Sequence, residues 1–163
     1  MANPSIIIRI DDRLIHGQIL VGWCAHYPIK RIIVCDNQIA QNEWERELLL
    51  MSVPSGIKVD IFTTKETHEF LGITHKEKGI VMLLVSSPQQ IKELIGTGIP
   101  VKKINVGGIH YREGRKQYLL YLFLDSEEVK IFRNLIHMGY QFICQDLPTN
   151  SKYDLERILD GKK

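Results

Sequence analysis

Short runs of apolar, β-branched residues recur along the chain, and longer segments that read as helices lie between them. The runs predict strands at Ser5–Ile10, Arg31–Cys35, Lys58–Phe62, Ile80–Val85 and Lys103–Val106, with two more at Tyr118–Leu124 and Tyr140–Cys144. Ile80–Val85 has no polar alternation, as a strand covered on both faces requires. Thr63 with Glu66, Ser87 with Gln90 and Asp125 with Glu128 mark helix entrances. At that spacing two side chains can satisfy each other's backbone amides. Pro88 suits a first helical position, whose amide needs no partner, and Gly139 suits the stop before the last strand. This alternation predicts an α/β fold: an open, mainly parallel, doubly wound sheet of about seven strands with helices on both faces. The pattern is weakest at Gly72–Lys78, read as a surface loop, and at Gly107–Lys116. No repeat, low-complexity tract or linker divides it, so 1–163 reads as a single domain.

Composition narrows the function classes. With 163 residues, 44% hydrophobic and 25% charged, the chain can bury a continuous core without staples. A net charge of +2 lacks the Lys/Arg stripe of a nucleic-acid binder, so no nucleic acid is expected as a partner. The densest basic region, Lys102, Lys103, Arg112, Arg115 and Lys116, reads as a solvated face with room to seat an acidic partner. Cys24, Cys35 and Cys144 are odd in number and far apart, which suits small buried hydrophobes of a reducing compartment and not zinc ligands. No basic leader precedes a long apolar run, and no run reaches the roughly 20 residues that cross a bilayer. A cytoplasmic location follows as an expectation, with docking on a membrane protein left open.

In doubly wound folds, chemistry gathers at the carboxyl ends of the strands, near the point where strand order reverses. The segments to search therefore begin at Asp11, Asp36, Thr63, Ser86, Gly107 and Asp146. The first is the densest: Asp11-Asp12-Arg13-Leu14-Ile15-His16-Gly17-Gln18, followed by an apolar, helix-like segment to about Tyr27. Leu14 and Ile15 can anchor the turn in the core while Arg13 and His16 stay at the surface. Gly17 removes a side chain beside His16 and lets another protein approach closely.

That combination suits a phosphoryl acceptor. Imidazole is uncharged and nucleophilic near neutral pH, and covalent capture divides a long transfer into short, aligned steps. Phosphoryl transfer asks mainly for positioning and charge stabilisation. Arg13 can make a two-pronged contact with phosphate oxygens, and a helix amino terminus offers free amides and about 0.3–1 kcal/mol of dipole stabilisation. Asp11 or Asp12 can hold Arg13, or take a proton from one ring nitrogen and fix the tautomer.

The run Arg9–Gln18 resembles the active-site signature of IIB components of the mannose/fructose/sorbose family, which belong to the bacterial phosphoenolpyruvate-dependent sugar phosphotransferase system (PTS). The resemblance continues through Asn105-Val106-Gly107-Gly108 and the helix beginning near Asp125, and covers essentially the whole chain. It implies a phosphoryl carrier that accepts phosphate from a phospho-IIA protein. The carrier then passes it to a sugar carried through the membrane by IIC and IID subunits, with no cofactor beyond a transient phosphohistidine and no metal. His16 matches the phosphorylated histidine, reacting through Nδ1; Arg13 matches the arginine on the phosphoryl group; Asp11 matches the acidic position that supports the loop. The carrier would be cytoplasmic and peripherally associated with the membrane permease. Asn105–Tyr111 and Gln145–Thr149 resemble the N-acetylgalactosamine-type branch more than the mannose branch.

Around this centre, Gly107 and Gly108 form a close turn whose amides are in reach of phosphate, Ser86 is placed to contact phosphate, and His110 lies on the rim as a modulator of docking. Ser87 is a helix cap. His26, His68, His75 and His137 read as surface or helix-end residues, and Trp23 and Trp44 as packing. Two other classes compete: a regulatory binding module, either receiver-like with Asp36 as acceptor or a nucleotide sensor, and a histidine phosphatase or mutase. Asp36 lacks the companion acidic pair and lysine of a Mg²⁺ site, no glycine-rich nucleotide loop occurs, and a mutase needs a second catalytic group facing His16.

Overall fold

The computed structural model describes residues 6–73, 79–99 and 101–162. Its strands are β1 (Ile6–Ile10), β2 (Ile29–Cys35), β3 (Lys58–Phe62), β4 (Ile80–Val85), β5 (Lys103–Val106), β6 (Lys116–Leu119), β7 (Leu122–Leu124), β8 (Gln141–Cys144) and β9 (Tyr153–Asp154). Seven of them form one sheet in the order β3-β2-β4-β1-β5-β8-β9. All neighbours pair in parallel except β9, which runs antiparallel to β8.

The expected strand Tyr118–Leu124 is corrected. The run folds back on itself as the antiparallel hairpin β6/β7, outside the main sheet, with Leu120 at its tip 90% exposed. Its apolar continuity misled because Leu122 and Leu124 enter the core while the tip carries no Gly, Asn or Pro to announce a turn. The seventh strand is instead β9, two residues long and too short to leave a pattern. Ser5 and residues 74–78 of the expected loop lie outside the described residues.

Alternation along the strands builds a core on each face. In β4, Met82 and Leu84 point one way and Val81, Leu83 and Val85 the other, all buried. The first face is covered by a π-helix (Gln18–Trp23), α1 (Cys24–His26), α2 (Asn37–Ala40) and α3 (Glu43–Met51), which contribute Ile19, Trp23, Ile39 and Leu49. The second carries α4 (Thr64–Ile73), α5 (Pro88–Gly96), α6 (Ser126–His137) and α7 (Leu155–Leu159), through Leu71, Ile91, Leu94, Phe132, Leu135 and Leu155.

The helix entrances follow their side chains. Asp125 and Glu128 bond each other's backbone N–H groups at 2.8 and 3.0 Å, and Thr63 and Glu66 do the same at 3.2 and 2.8 Å. At Ser87 only one arm forms: its hydroxyl accepts the Gln90 N–H, but the Gln90 side chain turns to Ser86. Gly139, at φ +91°, ends α6 in the left-handed region where a Cβ is costly.

From β1 the chain crosses to β2, and from the adjacent β5 it leaves towards β8. The connections diverge between β1 and β5, and this opens a crevice at their carboxyl ends. No helix among the described residues is long and apolar enough to cross a membrane.

Candidate functional site at the β1–β5 crevice

The site rests on a fully buried arginine. Alternation sends Ile8 and Ile10 into one core and leaves Arg9 on the other face of β1. There its guanidinium lies 4.7 Å from the centroid of the Trp23 ring. Nη1 donates to the Asn105 side-chain oxygen and to the Gln145 carbonyl at 2.8 Å. Nη2 donates to Asp11 Oδ2 at 3.1 Å and to the Asp146 carbonyl at 3.0 Å, and the latter also accepts the Trp23 indole N–H. Burial pulls the Arg9 guanidinium below its ordinary value and the Asp11 carboxylate opposes that pull; arginine stays charged regardless. A Cβ on Gly107 would stand 2.1 Å from Arg9 Nη2, so glycine there makes room for the guanidinium.

Asp11 is the hub. Oδ2 accepts from Arg9, from the Gly108 N–H at 3.3 Å and from His16 Nε2 at 3.0 Å; Oδ1 accepts the Arg13 N–H at 3.2 Å and Nε at 3.3 Å. Burial alone would raise this carboxyl. The His16 hydrogen bond and the charges of Arg9, His16 and Arg13 outweigh it and lower it to about 2.

The loop then closes tightly. The Leu14 N–H donates to the Asp11 carbonyl at 2.9 Å, and Leu14 sits at φ +57°, a left-handed conformation rare for a branched residue. Burial of Leu14 and Ile15 in the core beneath holds it there. His16 and Arg13 remain at the surface, with side chains 14% and 38% exposed.

The ring of His16 is bound at both nitrogens. An ionised Asp11 accepts only, so the ring proton belongs on Nε2, and Nδ1 keeps its lone pair. That lone pair accepts the Gln18 N–H at 3.3 Å. Arg13 reaches across the same residue, Nη2 donating to Gln18 Oε1 at 3.0 Å. Gly17 has helical dihedrals and nothing within 4 Å of a Cβ built on it, so open space adjoins the imidazole. A π-helix follows where an ordinary helix was expected, and its Ile19 and Leu20 amides are already taken by the His16 carbonyl.

A nucleophilic nitrogen beside a guanidinium, at the switch point of a doubly wound sheet, fits the chemistry of a IIB carrier. The family model for the sorbose subfamily IIB component of the PTS matches residues 5–163. The chain belongs to this family. A fructose-specific EIIB component of Bacillus subtilis is 33% identical to this IIB component over 154 residues, 94% of each chain. An N-acetylgalactosamine-specific enzyme IIB component 1 of Escherichia coli is 29% identical, over 93% of this chain and 97% of its own. The crystal structure of the IIBSor domain of the sorbose permease from Klebsiella pneumoniae is similar with a TM-score of 0.87 at 26% identity, covering 98% of both chains. This IIB component is thus a phosphotransferase component of a sugar PTS.

The remaining residues of the IIB component fall into place around the crevice. The Gly107 N–H donates to the Ile10 carbonyl and the Gly108 N–H to Asp11, so both amides serve the loop itself. Ser86 donates its N–H and hydroxyl to Gln90 Oε1 at 2.8 and 3.1 Å, and Gln90 in turn donates to Asp36 at 3.1 Å. Asp36 also caps α2, so its carboxylate is engaged as a structural acceptor. His110 is tied to Asp12, and Arg115 to Glu128 by two hydrogen bonds, so Arg115 is not part of a solvated face. His26 packs edge-on against Tyr27, His68 and His137 lie on α4 and α6, and His75 falls outside the described residues. Sequence reasoning missed the Arg9 knot. Its signal was an arginine inside an otherwise apolar parallel strand, which demands a buried carboxylate partner.

Proposed function

We propose that His16 carries the phosphoryl group on Nδ1. The observation that supports this most is the Asp11 carboxylate on Nε2, which leaves Nδ1 as the ring's only nucleophile. In the forward step the P–N bond of a phospho-IIA histidine breaks, its electron pair stays on the donor imidazole, and a P–Nδ1 bond forms on His16. Asp11 stabilises the cationic ring that results, as a carboxylate held ionised at all physiological pH does. Arg13 then binds phosphoryl oxygens through Nη1, which has no hydrogen bond among the described residues, and through Nη2, released from Gln18. The Gln18 N–H, displaced from Nδ1, becomes a donor to the same group. In discharge a sugar hydroxyl attacks phosphorus, the P–Nδ1 bond breaks with its electron pair returning to Nδ1, and the hydroxyl proton passes to a base of the permease or to solvent.

In this reading the partners are a phospho-IIA protein and the IIC/IID permease subunits that present the sugar. The chain works as one IIB domain over 1–163, cytoplasmic and peripheral to the permease, with no nucleic acid, cofactor or metal. Gly17 clears the approach, Gly107 and Gly108 admit Arg9 and the loop, and Ser86 and His110 line the rim. Relatives named for fructose, N-acetylgalactosamine and sorbose are similar to this chain at comparable identity, in keeping with a carrier whose sugar is chosen by the membrane subunits.

The test is phosphoenolpyruvate with enzyme I, HPr and IIA proteins of this family. One acid-labile, alkali-stable phosphoryl group is expected, absent in His16→Ala and formed at least tenfold more slowly in Arg13→Ala. Phosphate retained by His16→Ala, or lost in alkali as an aspartyl phosphate is, refutes the assignment.

A further inference from the structure

The two consecutive carboxylates of the loop each hold one histidine. Asp11 turns inward to His16, while Asp12 turns towards the loop after β5. Asp12 Oδ2 accepts the His110 N–H at 2.8 Å, and Oδ1 faces His110 Nδ1 at 2.6 Å. The Asp12 N–H donates to the Gly108 carbonyl at 2.9 Å, which fixes the two loops to each other. Arg115 donates to the His110 carbonyl at 2.7 Å, and Glu128 holds Arg115 from the other side. The backbone of His110 is therefore held at its N–H and its carbonyl, and its ring at Nδ1, although the side chain is 47% exposed.

Gly108 shows where that ring points. A Cβ built on it would meet His110 Cε1 at 2.8 Å, Arg13 Nη2 at 3.3 Å and Asp11 Oδ1 at 3.4 Å. The second imidazole, the phosphate-binding guanidinium and the carboxylate that orients His16 thus converge on one side-chain-free point. Cε1 lies between the two ring nitrogens. With Nδ1 on Asp12, Nε2 is the free nitrogen, one covalent bond from the Cε1 that touches that point, and among the described residues nothing pairs with it.

We propose that His110 is a second imidazole of the phosphate cradle, bonding a phosphoryl oxygen through Nε2 while His16 carries the group. This rests on His16 as the acceptor. With one proton on the Asp12 side, Nε2 must gain another to donate, so His110 acts as an imidazolium set between the Asp12 carboxylate and the incoming dianion. Asp12, Asp11 and the phosphoryl group favour that charge; Arg13 and Arg115 oppose it, and Glu128 offsets Arg115. No bond to phosphorus forms at His110. It takes up one proton from solvent on phosphorylation and returns it on discharge.

Two measurements on the full chain test this, both with the phosphoenolpyruvate relay as donor. Imidazole ¹⁵N spectra should move His110 Nε2 to its protonated position when His16 is phosphorylated, with Nδ1 unchanged. His110→Ala should slow phosphoryl gain from IIA by about 10- to 100-fold, the effect of one hydrogen bond to a charged group. His110→Gln, whose amide N–H can still donate, should recover much of the rate. Asp12→Asn should slow the wild type but add little in the His110→Ala background. A His110 resonance indifferent to phosphorylation, or a His110→Ala rate within twofold of wild type, overturns the proposal. His16 remains the acceptor in that event, provided His16→Ala is still unphosphorylated. Phosphate found on His110 itself overturns both readings.

Discussion

At the residue scale, one buried arginine and one buried carboxylate set the site. Arg9 and Asp11 are both fully buried, and removing either charge strands the other away from water. Asp11→Asn is expected to cost about 3–5 kcal/mol in denaturant unfolding and to leave the ring of His16 without its fixed tautomer. The same pair gives a pH dependence with a definite sign. The Asp11 carboxyl is lowered in the folded protein to about 2, below its unfolded value. Its contribution, on the order of 2 kcal/mol, is complete above the unfolded carboxylate value near pH 4 and disappears as pH falls towards 2. Urea midpoints measured from pH 6 to pH 2 should show this loss, and Asp11→Asn should flatten it. An equally steep decline in the variant would assign the acid sensitivity to other carboxylates.

At the element scale, the hairpin separates exposure from apolarity. Leu120 and Leu122 are the same residue type in one apolar run, yet the first is exposed and the second fully buried. Leu122→Ala should cost about 2–5 kcal/mol, as cavity-forming core substitutions do, whereas Leu120→Ala should stay within about 0.5 kcal/mol of wild type. Equal losses in thermal unfolding would mean that the tip is covered. The elements legible in sequence carry their own stop signals: Asp125 and Glu128 at one end of α6 and Gly139 at the other. Where no such punctuation exists, as between Leu119 and Leu122, the pattern gives one strand and the fold makes two.

At the scale of the whole molecule, the sheet gathers loops distant in sequence at one end. Residues 11–18, 107–110 and 145–147 meet there because β1, β5 and β8 lie side by side and run parallel. Phosphorylation should therefore shift backbone amide resonances in these three loops and spare the amino ends of the strands. Changes spreading through β3 and α3 would point to a global rearrangement instead.

The sequence by itself determined the α/β alternation, five of the parallel strands nearly to the residue, and the loop with His16, Arg13 and Asp11. Each rests on local information: strand periodicity, side chains that cap their own helix, and charged groups within a few residues of one another. The tertiary structure alone decided that Arg9 is the buried keystone under Trp23, that Gly107 exists to admit it, and that Asp12 reaches His110. The contacts of Arg9 with the β5 end and of Asp12 with His110 join residues about a hundred positions apart, and a one-dimensional pattern carries no record of which strands become neighbours. The number and spacing of apolar runs set how many layers can form; which loops then face each other is fixed only when the sheet is ordered.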